Sequence, residues 1–281
     1  MVVDMHVHMP RPISAKDALA DMDAAGIDKA VFISPYGDFD RKKEVDDQYK
    51  LRMDSARQRK SIDCLGDLIK EAPDRIRGLV WIEPTLPDAA DAVEYAIVDK
   101  KCSGVKMIPY HWYPYDEKLF PVYERIQKLR VPILFHAGIL WGFEDSSRFC
   151  RPANYEVMLH FPKIRFALAH IGWPWTDECL AVAGRFRFAI ERDDPSRMQM
   201  IIDTTRGTPE FYRKDALDKA IQYLGIDSLA FGSDSSSGKM KGTADDHVTK
   251  DRAILDSLGV SKDAQERYFS KTIERFFEPM A

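Results

Sequence analysis

The sequence contains few cysteines and no closely spaced pair of them. Its 281 residues include four, at Cys64, Cys102, Cys150 and Cys179, and no two of these form a C-x-x-C motif. This spacing argues against a zinc ribbon and against the disulfide framework of a small secreted domain. We therefore expect four reduced thiols in a cytoplasmic protein.

Long hydrophobic runs and blocks of like charge are also missing. No stretch approaches 18 consecutive apolar residues, and the amino terminus lacks the apolar segment of a signal peptide. The 45 acidic and 41 basic side chains are interspersed and give a formal net charge of −4. Proteins that bind nucleic acids or membrane surfaces usually carry basic clusters. We expect neither partner, and we predict a protein that acts on small molecules.

What the sequence does contain is a series of short, β-branched apolar segments with helical patterns between them. Such alternation is typical of a parallel sheet that helices cover. The eight segments span residues 1–6, 29–34, 77–84, 103–109, 131–138, 164–170, 198–203 and 229–234.

Eight β/α units in a chain of this length indicate a (β/α)8 TIM barrel, an α/β fold that usually needs about 250 residues. No internal repeat or Pro/Gly-rich linker interrupts the chain, so we predict one domain over residues 1–281. The charged segment 40–72 is expected to form a helical insertion between strands two and three. A doubly wound open sheet is the alternative, but its nucleotide-binding forms lack support because no G-x-G-x-x-G or P-loop motif occurs.

Four of the seven histidines, and one aspartate, lie where predicted strands end. His6 and His8 end strand one and share a face because they are two residues apart. His136 ends strand five, His170 ends strand six and Asp234 ends strand eight. The carboxyl ends of barrel strands meet on one face, where barrel enzymes have their active sites. Imidazoles and a carboxylate suit zinc, with manganese or iron as alternatives, so we expect one divalent metal ion here.

The segments "DMHVH", "FHAG", "AHIG" and "FGSD", in this order, resemble the metal-dependent amidohydrolase superfamily. The closer resemblance is to its amidohydrolase-related branch, which includes aminocarboxymuconate semialdehyde decarboxylase, resorcylate decarboxylases and various hydrolases. Residues 72–84 and 161–174 resemble the approaches to strands three and six in that branch. The likeness extends from residue 4 to residue 234.

The resemblance also implies roles for the strand-end residues. His6, His8 and His136 match metal ligands. Asp234 matches the residue that binds metal and takes the proton of the attacking water. His170 matches a second histidine, which polarises that water or the substrate.

The expected activity is hydrolysis of a small organic substrate by a metal-activated water. The bond attacked would be an amide, ester, lactone or ring C–N bond, in a molecule that carries a carboxylate. Two alternatives stay open. The same metal site could support non-oxidative decarboxylation of an unsaturated or aromatic acid, or the barrel could have lost catalysis and bind ligand only.

Lys106, within predicted strand four, bears on the number of metal ions. Some members of the wider superfamily carboxylate a lysine in this strand to bridge two metals, whereas a single metal is more usual in the branch. We expect one ion, with Lys106 contacting the substrate. The alternative is a structural pair between Lys106 and Glu83.

Three further side chains are predicted to contact the substrate. Arg206 follows strand seven, and its planar guanidinium suits a carboxylate. His111 and Trp112 follow strand four and could line an aromatic cleft. The alternatives are a surface position for Arg206 and loop packing for the other two.

Two remaining features concern the surface. After strand eight the chain reads "GSDSSSG", where relatives often have an aromatic residue and a proline after the aspartate, so we expect a smaller and more flexible loop. The segment 40–72 and the amphipathic tail 261–277 could support a homodimer, with a solvated face as the alternative.

Overall fold

The computed structural model describes residues 1–36, 53–141, 143, 145–192, 194 and 197–280. Its strands are β1 (Val3–His8), β2 (Lys29–Ile33), β3 (Ile76–Trp81), β4 (Gly104–Met107), β5 (Ile133–Phe135), β6 (Phe166–Leu168), β7 (Met200–Asp203), β8 (Leu229–Ala230) and β9 (Ser235–Ser236).

All strand pairs are parallel, and their spatial order is β8-β7-β6-β5-β4-β3-β2-β1-β9. Strands β8 and β9 belong to one continuous segment that joins β7 at its start and β1 at its end. The Met5 N–H donates to the carbonyl of Phe231 at 3.2 Å, and the Asp234 N–H donates to that of His6 at 3.0 Å. The ring of strands is therefore closed, and the predicted (β/α)8 barrel is confirmed.

Helices follow the strands and cover the barrel. They are α1 (Ala15–Ala24), α2 (Ser55–Glu71), α3 (Ala89–Glu94), α4 (Phe120–Leu129), α5 (Thr176–Phe186), α6 (Glu210–Leu224), α7 (Ala244–Ser257), α8 (Lys262–Glu266) and α9 (Thr272–Phe276). No helix in these parts of the chain is long and apolar enough to cross a membrane.

The segment 40–72 differs in part from its prediction. Its described portion contains one helix, α2, which follows β2 and packs against β3 as a barrel helix does. Residues 40–52 lie outside the described residues, so the predicted insertion and its part in a homodimer stay predictions. After β5 the chain forms 3-10 helices at Ser147–Cys150 and Pro152–His160 where a barrel would usually have an α-helix.

The barrel interior changes from apolar to polar towards the carboxyl ends of the strands. Deep positions such as Leu134 and Ala167 are fully buried and apolar. Near the carboxyl ends of the strands, by contrast, three ionisable side chains are fully buried: His6, Lys106 and Asp203. Burying ionisable groups is unfavourable unless they are paired or bind a ligand. This end of the barrel is therefore where a functional site is expected.

A buried ion pair supports β7 from outside the barrel. Arg213 of α6 donates from Nε and Nη2 to the two carboxylate oxygens of Asp251 of α7, at 2.6 and 2.7 Å. The Tyr268 hydroxyl also donates to Asp251 at 2.5 Å and lies 2.5 Å from Thr204 Oγ1. The network thus fixes Thr204, the residue directly after the carboxyl end of β7.

Candidate metal centre

Three donor atoms meet at the carboxyl face of the barrel. Two come from β1 and one comes from the segment between β8 and β9. His6 Nε2 lies 3.2 Å from His8 Nε2, and Asp234 Oδ1 lies 3.0 Å from His8 Nε2 and 3.5 Å from His6 Nε2. Ligands about 2.1 Å from a common ion are about 3.0 Å apart at right angles and about 3.4 Å apart at tetrahedral angles. Two of the three edges lie within this range and the third, at 3.5 Å, is close to its upper end, so the donor set fits one divalent ion.

The orientation of His6 is set by Asp203 on β7. His6 Nδ1 lies 2.6 Å from Asp203 Oδ2, and both side chains are fully buried. A carboxylate at this distance accepts the Nδ1 proton, which leaves the Nε2 lone pair facing the other donors. Burial, together with the nearby charge of Lys106, lowers the pKa of His6 well below its ordinary value. The imidazole is therefore neutral, as a metal ligand must be.

Asp234 reaches the site from an unusual backbone conformation, with a φ of 59°. Burial alone would disfavour its charged form. The hydrogen bond from His8, together with the electrostatic effect of the neighbouring His6 and His170 rings, outweighs burial and holds the pKa of Asp234 well below its usual range. An ionised carboxylate with partial access to the cavity can bind a cation or accept a proton.

His136 lies on the same face but outside the triangle of donors. Among the described residues, the group with three potential ligand atoms close together consists of His6, His8 and Asp234. His136 Nε2 lies 3.1 Å from the carbonyl of Ile139, to which it can donate. That hydrogen bond leaves Nδ1 as the ring atom with a lone pair. Burial lowers the pKa of His136 well below its ordinary value, so the ring is neutral. Its predicted role as a fourth ligand stays a prediction.

His170 has a left-handed backbone conformation, with a φ of 61°, and is held by the segment that follows β7. Its Nδ1 lies 2.9 Å from Thr205 Oγ1, which in turn donates to Asp203 Oδ2 at 3.2 Å. Thr205 therefore accepts the Nδ1 proton, and Nε2 is the nitrogen with a free lone pair. Burial lowers the pKa of His170 to about 4, while the negative charge of Asp234 acts in the opposite direction. Asp203 thus orients both His6 and, through Thr205, His170.

Lys106 forms part of the cavity floor. Its ammonium is fully buried and lies 3.4 Å from His6 Nε2. Burial lowers the pKa of Lys106 to about 8, although Asp203 and Asp234 favour its charged form. The alternative partner, Glu83, lies elsewhere: it accepts hydrogen bonds from Thr85 and has a carboxylate oxygen 3.3 Å from His111 Nε2.

A cavity of about 350 Å³ opens above these groups, a size within the range of small-molecule sites. Polar side chains form its floor, and aromatic and aliphatic side chains form its walls. The Tyr36 ring stacks on Trp81 with centroids 3.8 Å apart, and the edge of Phe143 approaches Tyr36 at 5.8 Å. The described lining residues are His8, Met9, Pro10, Ser34, Tyr36, Trp81, Lys106, Ile108, His136, Ile139, Leu140, Trp141, Phe143, His170, Gly207, Asp234 and Ser236.

Three predicted substrate contacts are not among these lining residues. Arg206 is exposed beside the cavity rather than in its wall. Trp112 is 2% exposed and packs in the main hydrophobic core. His111 Nε2 lies 3.3 Å from a carboxylate oxygen of the buried Glu83. The structure therefore favours the loop-packing and surface alternatives for these residues, and of this set Lys106 alone lines the cavity.

Several residues of the site were not predicted from the sequence as cavity residues. Tyr36 follows β2 and Trp81 ends β3, and both strands have the pattern of a buried core. The position of these two residues at the cavity depends on how neighbouring strands pack. Thr205 had no signal beyond its place two residues after Asp203, at the end of strand seven. Asp203 had a clearer signal, because it is an acidic residue at the end of the predicted strand 198–203.

Gly207 provides the room that the His170 ring occupies. A Cβ atom at this position would lie 2.4 Å from His170 Cγ and 2.5 Å from Nδ1. We expect Gly207→Ala to destabilise the protein by about 1–3 kcal/mol, a typical cost of overpacking. The same change in a His170→Gly background should cost much less, because the clashing atoms are gone. Denaturant unfolding of the metal-free variants measures both values, and an equal loss in the two backgrounds would contradict this packing.

A model of the amidohydrolase family, described as "Amidohydrolase", matches residues 3–278. No curated protein sequence matches the chain.

Solved structures similar to this chain include two decarboxylases and a hydrolase. A 2,6-dihydroxybenzoate decarboxylase in complex with 2,6-dihydroxybenzoate is 14% identical, with 98% of each chain covered and a TM-score of 0.67. The 5-carboxyvanillate decarboxylase of Novosphingobium aromaticivorans, with bound manganese, is 13% identical, with 99% of this chain and 97% of that chain covered and a TM-score of 0.69. A probable 2-pyrone-4,6-dicarboxylic acid hydrolase of Acinetobacter baumannii is 13% identical, with 98% of each chain covered and a TM-score of 0.62. At such identities the likeness concerns the fold.

Proposed function

The chain belongs to the amidohydrolase family, and from this premise we propose that it removes the carboxyl group of an aromatic or unsaturated carboxylic acid without oxidation. The observation that carries this proposal is the buried ammonium of Lys106 beside the donor triangle, beneath aromatic walls. Sequence analysis ranked hydrolysis first. We place decarboxylation first here, because the cavity walls suit a planar apolar group and its floor suits an anion.

The walls favour a flat substrate. Tyr36, Trp81 and Phe143 present ring faces and edges to the cavity, and aromatic side chains pack best against other planar groups. Among the described lining residues, Lys106 carries the one ammonium or guanidinium group. A carboxylate that leaves water for this cavity would form a charge-assisted hydrogen bond with it. An aromatic acid therefore matches both surfaces of the site.

His6, His8 and Asp234 would hold the divalent ion, and His136 is the proposed additional ligand. When bound, that ion would supply a Lewis acid that neutralises and orients the anionic groups of the substrate. Zinc remains our first expectation. The manganese in a decarboxylase of similar fold supports manganese as an alternative.

The reaction breaks the bond between the ring or vinyl carbon and the carboxyl carbon, and CO2 leaves without charge. The electron pair left on carbon takes up one proton. We assign delivery of that proton to His170, because Thr205 fixes its Nδ1 proton and leaves Nε2 to exchange protons. Asp234 favours the protonated state of His170 through its negative charge. Lys106 holds the carboxylate until it departs.

Hydrolysis is the second proposal, and one observation favours it. The Asp234 carboxylate is held in its ionised form on the cavity wall, 3.0 Å from His8 Nε2. A carboxylate in that position can take the proton of an attacking water and pass it to a leaving group. The likeness to a probable dicarboxylic acid hydrolase is compatible with this role. A carboxylate-bearing lactone would then be the substrate.

A substrate panel separates the two reactions. The manganese- and zinc-loaded enzyme is incubated with hydroxylated benzoic acids, unsaturated acids, lactones and amides. Release of CO2 is measured separately from release of acid. We expect CO2 in amounts equal to the acid consumed. Acid release from lactones or amides without any CO2 would overturn decarboxylation in favour of hydrolysis.

Lys106→Met is expected to raise KM for the carboxylate substrate by about 10–100-fold, because a charged hydrogen bond is worth about 1.5–3 kcal/mol. The kinetic constants are measured with the best substrate from the panel. Lys239→Met serves as the control, since Lys239 is exposed outside the cavity lining. An unchanged KM in Lys106→Met would show that this lysine does not bind the carboxylate.

A further inference from the structure

The segment after β8 contains two buried serines whose hydroxyls are linked to a buried carboxylate on β1. Ser233 Oγ donates to Asp4 Oδ2 at 2.5 Å, and Ser235 Oγ lies 2.5 Å from Ser233 Oγ. The Ser233 hydroxyl has a single proton, and that proton is donated to Asp4. Ser235 therefore donates to Ser233. Sequence analysis predicts a flexible loop here, whereas Ser233 and Ser235 are buried and hydrogen-bonded.

Asp4 also accepts hydrogen bonds from the backbone of both elements that close the barrel, β1 and the segment after β8. Asp4 Oδ1 accepts from the Ser233 N–H at 2.9 Å and from the His6 N–H at 3.1 Å. One buried side chain thus connects the strand that carries His6 to the residue directly before Asp234. We refer to Asp4, Ser233 and Ser235 as the Asp4 anchor.

Asp234 lies between the two serines of the anchor. Its φ of 59° falls in the left-handed region, which residues that carry a side chain seldom adopt, although aspartate does so more often than most. Such a conformation persists when the surrounding contacts impose it. Here the flanking residues are fixed by their side chains, and the Asp234 N–H donates to the His6 carbonyl at 3.0 Å.

We propose that the Asp4 anchor positions the metal centre, by holding Asp234 in its left-handed conformation so that Oδ1 stays within 3.0 Å of His8 Nε2. The inference rests on the proposed metal centre. None of the three anchor residues is among the described lining residues of the cavity or in the donor triangle. They would act through Asp234 alone.

The test compares metal affinities of serine variants. Ser233→Ala and Ser235→Ala remove anchor hydroxyls. Ser237→Ala removes a hydroxyl of the same segment that is bonded to no described residue. Affinities for Mn2+ and Zn2+ are measured by competition with a chromogenic chelator, alongside metal-free thermal unfolding.

We expect Ser233→Ala to weaken metal binding by about 10–100-fold, the usual effect of losing an outer-shell partner, with Ser237→Ala unchanged. If Ser233→Ala does not fold, Ser235→Ala decides the question in the same assay. Wild-type affinity in a folded anchor variant would overturn the inference. Failure of the wild type itself to bind either metal would instead contradict the proposed metal centre.

A second comparison separates positioning from general loosening of the fold. In an Asp234→Ala background, Ser233→Ala should cause no further loss of metal affinity, because the residue through which it acts is gone. An equal loss in both backgrounds would show that Ser233 acts by another route and would overturn the inference.

Discussion

Replacing Asp234 by asparagine is expected to lower kcat by about 10²–10⁴-fold, the range for loss of a group that handles protons. The amide keeps the shape of the side chain but removes the negative charge that faces His6, His8 and His170. Without that charge the donor set binds a cation more weakly, and protonation of His170 becomes less favourable. Both effects reduce turnover in the same direction.

The measurement is steady-state kinetics at saturating metal, with circular dichroism to confirm the fold. Asp215→Asn is a matched control, because Asp215 is an exposed aspartate of α6. If Asp234→Asn retained wild-type kcat, neither the hydrolytic nor the decarboxylating role of this residue would stand.

The second large effect is expected from metal removal. Dialysis against a chelator should abolish activity, and adding Zn2+ or Mn2+ should restore it. Because the ion binds the folded state, an excess of about 1,000 times Kd should stabilise the protein by about 4 kcal/mol. Thermal unfolding with and without metal measures this difference.

His8→Ala provides the control for this experiment. The variant lacks the donor atom that lies nearest to Asp234 Oδ1, so added metal should produce little stabilisation. His160→Ala alters an exposed histidine outside the cavity and should respond to metal as the wild type does. Equal stabilisation of His8→Ala and the wild type would place the ion elsewhere.

The architecture was largely predictable because strand ends in a parallel barrel have fixed relative positions. More than 220 residues separate His6 and His8 from Asp234 in the sequence, yet β1 is adjacent to the segment that carries Asp234. Once the strands are assigned, their convergence follows from topology alone. The apolar patterns that define the strands therefore also determine which distant polar residues meet.

Other features depend on side-chain packing, which sequence patterns do not encode. Trp112 resembles a cavity residue in the sequence, but packing of its loop turns it into the core. The sequence places Lys106 within a predicted strand, whereas its approach to His6 depends on the register of β4.

The run of serines after β8 predicts a flexible loop. In the structure the Ser233 hydroxyl donates to Asp4 and the Ser235 hydroxyl contacts Ser233. The sequence pattern does not reveal this network, because Asp4 lies on a strand more than 200 residues earlier.

The central claim is that His6 Nε2, His8 Nε2 and Asp234 Oδ1 bind one divalent ion, and anomalous diffraction tests it most directly. Crystals of the wild type grown with Mn2+ are measured above and below the manganese absorption edge. We predict one strong anomalous peak per chain, at about 2.0–2.3 Å from these three atoms. A catalytically active crystal form with no peak there, or with its peak outside the triangle, would contradict the account.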